Sequence, residues 1–358
     1  MAPVGLSIVD RLQGVSAGLL AALPPRVALA LSGRPQVRID GEELDPGIQL
    51  LLRVMALRGS PAFISLAPTT PERERARISR DAQVVGGRRP TPVASVSELK
   101  VAGSREEIRA RHYAPRATGA AEPLLVYAHG GGWVVGDLET HDEFCRLICH
   151  HAGVGVLSIE YGLAPEHPFP RGLEDVVAAL RWAFDNAASL GADPGRIALG
   201  GDSAGGTLSA AAIQLLVKDG GPVPALQVLI YPSTDFVERR PSAELFADGF
   251  FLTRESRQWC ESQYLPDGID LADPRLSPLR APDLGGLPPA IVLTAAFDPL
   301  RDEGEAYAAA LKEAGNRVVP VRVPGMIHGF INMTAANRPA RDAVIGLAGM
   351  IRAELASA

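Results

Sequence analysis

Gly201-Asp202-Ser203-Ala204-Gly205 sets a serine between two glycines, directly after the apolar run Ile197-Ala198-Leu199-Gly200. A G-x-S-x-G string between a strand and a helix holds its serine on a sharp turn, where the hydroxyl can attack an acyl carbon. Small residues two before and two after the serine keep that turn free of clashes. The helix predicted from near Gly206 points its positive end at the charge that develops there. On the five residues alone, a plain turn and a nucleophile stand level; the strand-to-helix context favours the nucleophile. Upstream, His129-Gly130-Gly131-Gly132-Trp133 follows the strand-like Leu124–Tyr127. Consecutive glycines leave backbone N–H groups free to converge on one oxygen, which is what a tetrahedral oxyanion requires. A phosphate loop would continue into Lys-Ser/Thr, and this one does not.

A serine hydroxyl needs a base to take its proton, and the base needs a carboxylate to orient it. Of seven histidines, His328 lies just after the strand-like Val318–Val323, where a loop at the sheet's C-terminal edge is expected. Asp298 follows the strand-like Ile291–Ala295 in Phe297-Asp298-Pro299-Leu300-Arg301-Asp302-Glu303-Gly304. The order Ser203, Asp298, His328 is that of an acyl-transfer triad. Asp302 is the rival carboxylate, but its place in the first turn of the next helix is explained by the helix dipole. Asp202 is read as a helix-capping or loop-fixing carboxylate. His141, Cys145 and Cys149 recur every four residues, yet ligands spread over two helical turns span ~12 Å, too far to close on one ion. That set reads as a buried face. The chemistry so read requires no metal and no organic cofactor.

The elements that must position these groups are legible as alternation. Leu124–Tyr127, Val154–Tyr161, Ile197–Gly200, Leu226–Tyr231, Ile291–Ala295 and Val318–Val323 read as strands, and His141–His151, Leu173–Leu190, Ala204–Lys218, Glu303–Ala314 and Arg341–Ala356 read as helices. Alternation of this kind predicts an α/β fold with a mostly parallel central sheet and helices on both faces. The stretch 236–278 breaks it, carrying Phe246, Phe250, Phe251, Trp259 and Tyr264 without a clear strand. Its place after a strand's C-terminal end suggests a lid, because ligands bind at that edge of α/β sheets. The expected division is an N-terminal helical cap segment over 1–75, core over 76–235, a cap insertion over 236–278, and core again over 279–358.

Composition excludes other classes. With 35 basic and 41 acidic residues the net charge is −6, and no basic block offers the cationic face that nucleic acid requires. Three cysteines cannot form a closed disulfide set, which fits a reducing compartment. Residues 15–33 are rich in Ala, Leu and Val, but Pro24-Pro25-Arg26 splits the run. Its pieces fall short of the ~20 residues that span a bilayer. No stable membrane insertion and a cytoplasmic location are expected.

The glycine motifs and triad order together resemble the bacterial hormone-sensitive-lipase-like esterases (family IV), specifically the subgroup with Asp before the nucleophilic Ser. Four strings carry the resemblance: His129–Trp133 continued to Asp137; Tyr161-Gly162-Leu163-Ala164-Pro165-Glu166-His167-Pro168; Gly201–Gly205; and Asp298–Gly304 with His328-Gly329-Phe330. It runs from about Leu44 to the C-terminus. It implies an α/β-hydrolase core under a helical cap, and a carboxylic ester hydrolase acting on small-molecule esters of short to medium acyl chain. It also implies Ser203 as nucleophile, Asp298 as orienting acid, His328 as base, and the Gly131, Gly132 and Ala204 amides as oxyanion donors. His129 would brace the loop, Glu166 and His167 would be structural, and the assembly would be a homodimer. Gly162 departs from the pattern, which has Arg there, and the first ~40 residues have no counterpart in shorter members. A non-catalytic ligand-binding module shares this fold, as in plant gibberellin receptors, but those lack the catalytic histidine. An amide, lactone or carbamate hydrolase would use the same machinery.

Overall fold

The computed structural model describes residues 18–59, 62–64, 69–85, 90–116 and 121–357. The start of the expected cap segment, 1–17, therefore lies outside the described residues.

Runs that are apolar on successive residues become strands buried on both faces. Four such strands, β5 (Glu122–Ala128), β6 (Gly155–Ile159), β7 (Ala192–Asp202) and β8 (Leu226–Ile230), form the middle of an eight-stranded sheet. With β3 (Ser95–Ala102), β4 (Glu107–Ala114), β9 (Ala290–Phe297) and β10 (Val318–Ile327) the order is β10-β9-β8-β7-β5-β6-β4-β3. The six strands from β5 to β10 pair in parallel among themselves. β4 pairs antiparallel with both β6 and β3. Alternation along β5 sends Leu124, Val126 and Ala128 into one core layer and Leu125 and Tyr127 into the other. The first layer is covered by the helices Arg171–Asp185, Ala204–Lys218 and Arg301–Glu313. The second is covered by Asp142–Ala152 and Arg338–Ala356. The chain is thus an α/β protein of the expected class.

β3 and β4 were not among the expected strands. β3 is exposed at most of its positions, so it lacks an apolar run, and it is held by full pairing with β4 from Ser95↔Ala114 to Ala102↔Glu107. β10 runs four residues past its expected end, through a register shift between Val323 and Ile327. That extension carries the chain to His328.

The N-terminal part docks beside β10 and the helices next to it. A short hairpin, β1 (Arg38–Ile39) with β2 (Glu42–Glu43), sets Asp40 against Arg301 at 2.7 Å. The Asp45 amide donates to the Gly325 carbonyl (3.0 Å), and the Asp45 side chain caps the helix Pro46–Leu57 and accepts from Asn337 Nδ2 (2.7 Å). Between β8 and β9 the chain makes two α-helices, Pro241–Leu245 and Arg254–Tyr264, and a 3-10 turn at Pro278–Arg280, without joining the sheet. Phe251 there bridges to Ala62, and its ring meets Phe63 edge-on at 5.6 Å.

Candidate active site

The strand ends bring the separated residues together. Ser203 follows β7, Asp298 follows β9 and His328 follows β10, all at C-terminal ends of parallel strands. Ser203 has φ 52° and ψ −121°, a conformation that L-residues hold only when their surroundings enforce it. The enforcement is visible: the Ser203 amide donates to the Ile230 carbonyl (2.8 Å), and a Cβ on Gly205 would lie 2.0 Å from the Ala128 carbonyl oxygen. The glycine two after the serine is needed for this close approach of helix to β5. His328 Nε2 lies 2.9 Å from Ser203 Oγ, and His328 Nδ1 lies 2.7 Å from Asp298 Oδ2. The other Asp298 oxygen accepts from the Leu300 amide (2.8 Å), which fixes the carboxylate's rotation. Asp298 and His328 are both buried, and the Tyr231 ring packs on the imidazole at 4.5 Å. With Asp298 anionic, Nδ1–H donates to it and Nε2 is left to accept from the serine. The rival Asp302 points elsewhere, accepting from the Ser242 amide (2.8 Å).

The glycine loop closes a tight turn in which the Gly131 carbonyl accepts from the Val134 and Val135 amides. Gly131 has φ 133°, and a Cβ there would sit 1.9 Å from the Val135 carbonyl oxygen. Among the described residues, the Gly131, Gly132 and Ala204 amides have no hydrogen-bond acceptor in the chain. They are available to an incoming oxygen.

Asp202 turns out to hold this loop. Its Oδ1 accepts from the Gly130 amide (2.7 Å) and from Tyr127 Oη (2.6 Å), and His141 Nε2 lies 3.1 Å away. Tyr231 Oη donates to Oδ2 at 3.3 Å. Burial alone would push this carboxyl up, but His141, Tyr127 and the Gly130 amide hold it down at about 2. The structure thus supports the loop-fixing reading of Asp202. His141 serves this network, and Cys145 and Cys149 are free and buried in the core. His129 is bonded through Nδ1 to the Gly130 carbonyl (2.8 Å) and stacks on Tyr161 at 4.5 Å; burial, reinforced by His141, pulls its imidazole down to about 4. It is neutral near neutrality.

Replacing Asp202 by Asn keeps the shape but weakens the acceptor shared by three donors. We expect kcat/KM on p-nitrophenyl butyrate to fall about 10- to 100-fold, since small misplacements of catalytic groups cost that much. Wild-type kcat/KM in the variant would refute the assignment. The depressed carboxyl also stabilises the fold fully above its unfolded value of 3.8 and ceases to do so as pH falls through about 2. The variant's stability curve should therefore be flatter across that window.

Arg75 lies in the stretch Glu72–Arg80, whose alternating charge reads as a solvated surface and carries no sequence signal of a place at the site. Its Nε donates to the Val134 carbonyl (2.7 Å) and its Nη2 to the Ala164 carbonyl (2.7 Å), and it pairs with Glu166. It joins the glycine loop to the Tyr161–Pro168 string. At Gly162, where the resemblance leads one to expect Arg, the amide donates to buried Asp175 (3.0 Å), which Arg171 reaches at 3.2 Å.

Ser203 and His328 open on a cavity of about 450 Å³, within the range of small-molecule sites. Leu51, Met55 and Ile78 from the N-terminal part and Phe251, Leu252 and Cys260 from the 236–278 stretch line it. No group of His, Cys, Asp and Glu among the described residues is arranged to hold a metal ion. No helix among them is long and apolar enough to cross a membrane.

Comparison with known proteins gives a consistent picture. Residues 125–332 match a family described as having the alpha/beta hydrolase fold. The carboxylic ester hydrolase LipN of Mycobacterium tuberculosis is 46% identical over 336 residues, covering 90% of this chain and 87% of that protein. The carboxylesterase NlhH of the same organism is 44% identical over 252 residues, 69% of this chain and 79% of its own. Among solved structures, an ester hydrolase from the metagenome of Lake Arreo, complexed with a derivative of bipyridine phosphonate, superposes with a TM-score of 0.82 at 44% identity. The match covers 87% of this chain and 98% of that one.

Proposed function

We propose that this chain, which belongs to the hormone-sensitive-lipase-like esterases of the α/β-hydrolase fold and is a carboxylic ester hydrolase, acts on short- to medium-chain acyl esters through an acyl-enzyme on Ser203. The observation that carries the reading is the continuous line Ser203 Oγ, His328 Nε2, His328 Nδ1, Asp298 Oδ2, facing the cavity. Ser203 Oγ attacks the ester carbonyl as His328 Nε2 takes its proton, and Asp298 stabilises the imidazolium. The Gly131, Gly132 and Ala204 amides hold the oxyanion. Collapse breaks the bond to the alkoxy oxygen, which leaves as the alcohol with the proton from His328. Water then gives its proton to the same nitrogen and attacks the acyl carbon; the second collapse frees the acid and returns the proton to Ser203.

The N-terminal segment and the insertion over 236–278 act in this reading as one cap, and their apolar side chains select the acyl group. The three unpaired cysteines suit a cytoplasmic enzyme. Hydrolysis of p-nitrophenyl esters from acetate to palmitate tests the substrate range. We expect kcat/KM to be highest at two to eight acyl carbons and at least tenfold lower at sixteen. A maximum at the longest chains would overturn the short-chain reading.

A further inference from the structure

One guanidinium in the cavity has no role in the steps above. Arg257 lies on the helix Arg254–Tyr264 and lines the same cavity as Ser203. Its side chain is 16% exposed. Among the described residues it makes no side-chain hydrogen bond, and its ionic contact is with Glu303 Oε2 at 4.0 Å, beyond hydrogen-bond reach. Its N–H donors are therefore without a hydrogen-bond acceptor in the described chain, in a residue that lines the cavity.

Its neighbours reach the elements that carry the reacting groups. Cys260, one turn along the same helix, abuts the glycine loop: a Cβ on Gly132 would lie 2.4 Å from Cys260 Sγ. Glu303, its ionic neighbour, accepts from Ser233 Oγ (2.9 Å) and the Thr234 amide (2.9 Å). The Ser233 carbonyl in turn accepts from Thr207 Oγ1 (2.6 Å), in the first turn of the helix behind Ser203. Arg257 thus stands on the wall between the glycine loop and that helix.

The surroundings define what it would take. Glu303 is beside it and Glu261 is one turn away at i+4, also lining the cavity. Burial pushes both carboxyls up, Glu303 to about 7, against the pull of Arg257. A further carboxylate would enter against two acidic side chains, under the same burial that already opposes their charged forms. A neutral carbonyl oxygen needs only the free N–H donors. We propose that Arg257 forms an oxygen-acceptor subsite that binds the second carbonyl of a keto ester or diester while the first is attacked. The proposal deepens, and rests on, the reading of Ser203 as the nucleophile of this cavity.

The test is a ratio within each protein, so that any general loss of active enzyme cancels. Ethyl 4-oxopentanoate, ethyl 5-oxohexanoate and diethyl butanedioate are compared with ethyl pentanoate and ethyl hexanoate, in the wild type, Arg257→Met and Arg257→Lys. A charge-assisted hydrogen bond favours at least one second-carbonyl ester by about 10- to 100-fold in kcat/KM. That ratio should fall to near one in Arg257→Met and be partly kept in Arg257→Lys. Equal ratios in the wild type and Arg257→Met would overturn the subsite. So would a stronger preference for the half-acid ethyl hydrogen butanedioate that depends on Arg257, which would make the site anionic. Hydrolysis of these esters with a ratio that does not depend on Arg257 sinks this inference alone, whereas no hydrolysis of any ester by the wild type sinks the Ser203 reading with it.

Discussion

Ser203→Ala should lower kcat on p-nitrophenyl butyrate by about 10⁴- to 10⁶-fold, because the substitution removes the atom proposed to form the acyl bond. The remaining rate would come from binding and from the amides around the oxyanion. Structure should be kept: the cavity side of Ser203 is open, and His328 still donates to Asp298. Two further readouts separate loss of the nucleophile from loss of the fold. An aryl phosphonate should add its phosphonyl mass to the wild type and not to Ser203→Ala. A burst of p-nitrophenol equal to the enzyme concentration should appear where deacylation is slow, and vanish in the variant. Backbone strain adds a second, independent expectation. At φ 52° a side chain costs roughly 1–3 kcal/mol, and glycine is largely exempt. Ser203→Gly should therefore unfold at higher temperature than Ser203→Ala by calorimetry, although both are inactive. Activity in Ser203→Ala within tenfold of wild type would end the serine mechanism.

What could be read from the sequence, and what could not, follows from where each contact lies. β5, β6, β8 and β9 are buried at nearly every position, so their apolar runs declare them. The three groups of the proposed triad are legible too, since each comes soon after a strand-like run, at the sheet edge where an α/β fold keeps its ligands. β3 and β4 are not, because strands at the margin carry charged residues whose fit is set by partners. Arg111 shows this: it is buried on β4 only because Glu98, Glu139 and Asp142 surround it. The same holds for the supports of the site. Arg75 binds carbonyls 59 and 89 residues away, and Asp202 gathers Tyr127, Gly130 and His141 across the sheet. Their residue types are ordinary and their spacing carries no period. Only the closed chain brings them together, and Arg257 belongs with them.

Asp298→Asn gives the other large effect, and the structure says why a substitution of nearly the same shape should be so damaging. Asp298 Oδ1 accepts from the Leu300 amide, while Oδ2 faces His328 Nδ1. In the variant the amide oxygen keeps the Leu300 bond, because an NH₂ there would oppose another N–H donor. The NH₂ is then aimed at His328. Facing a donor, the imidazole moves its proton from Nδ1 to Nε2, and Nε2–H can no longer accept from Ser203 Oγ. The nucleophile loses its base although no atom has moved far. A loss of about 10⁴-fold in kcat is expected, with KM changed little, since the cavity lining is intact. Asp298→Ala offers the contrast: it leaves Nδ1 without a partner but does not enforce the wrong tautomer, while opening a void among buried groups. It should lose more thermal stability than Asp298→Asn. The ¹⁵N shifts of His328 report the tautomer directly, with Nδ1 protonated in the wild type and Nε2 protonated in Asp298→Asn. If the variant keeps Nδ1–H, or keeps kcat within tenfold, Asp298 is not the group that orients the base.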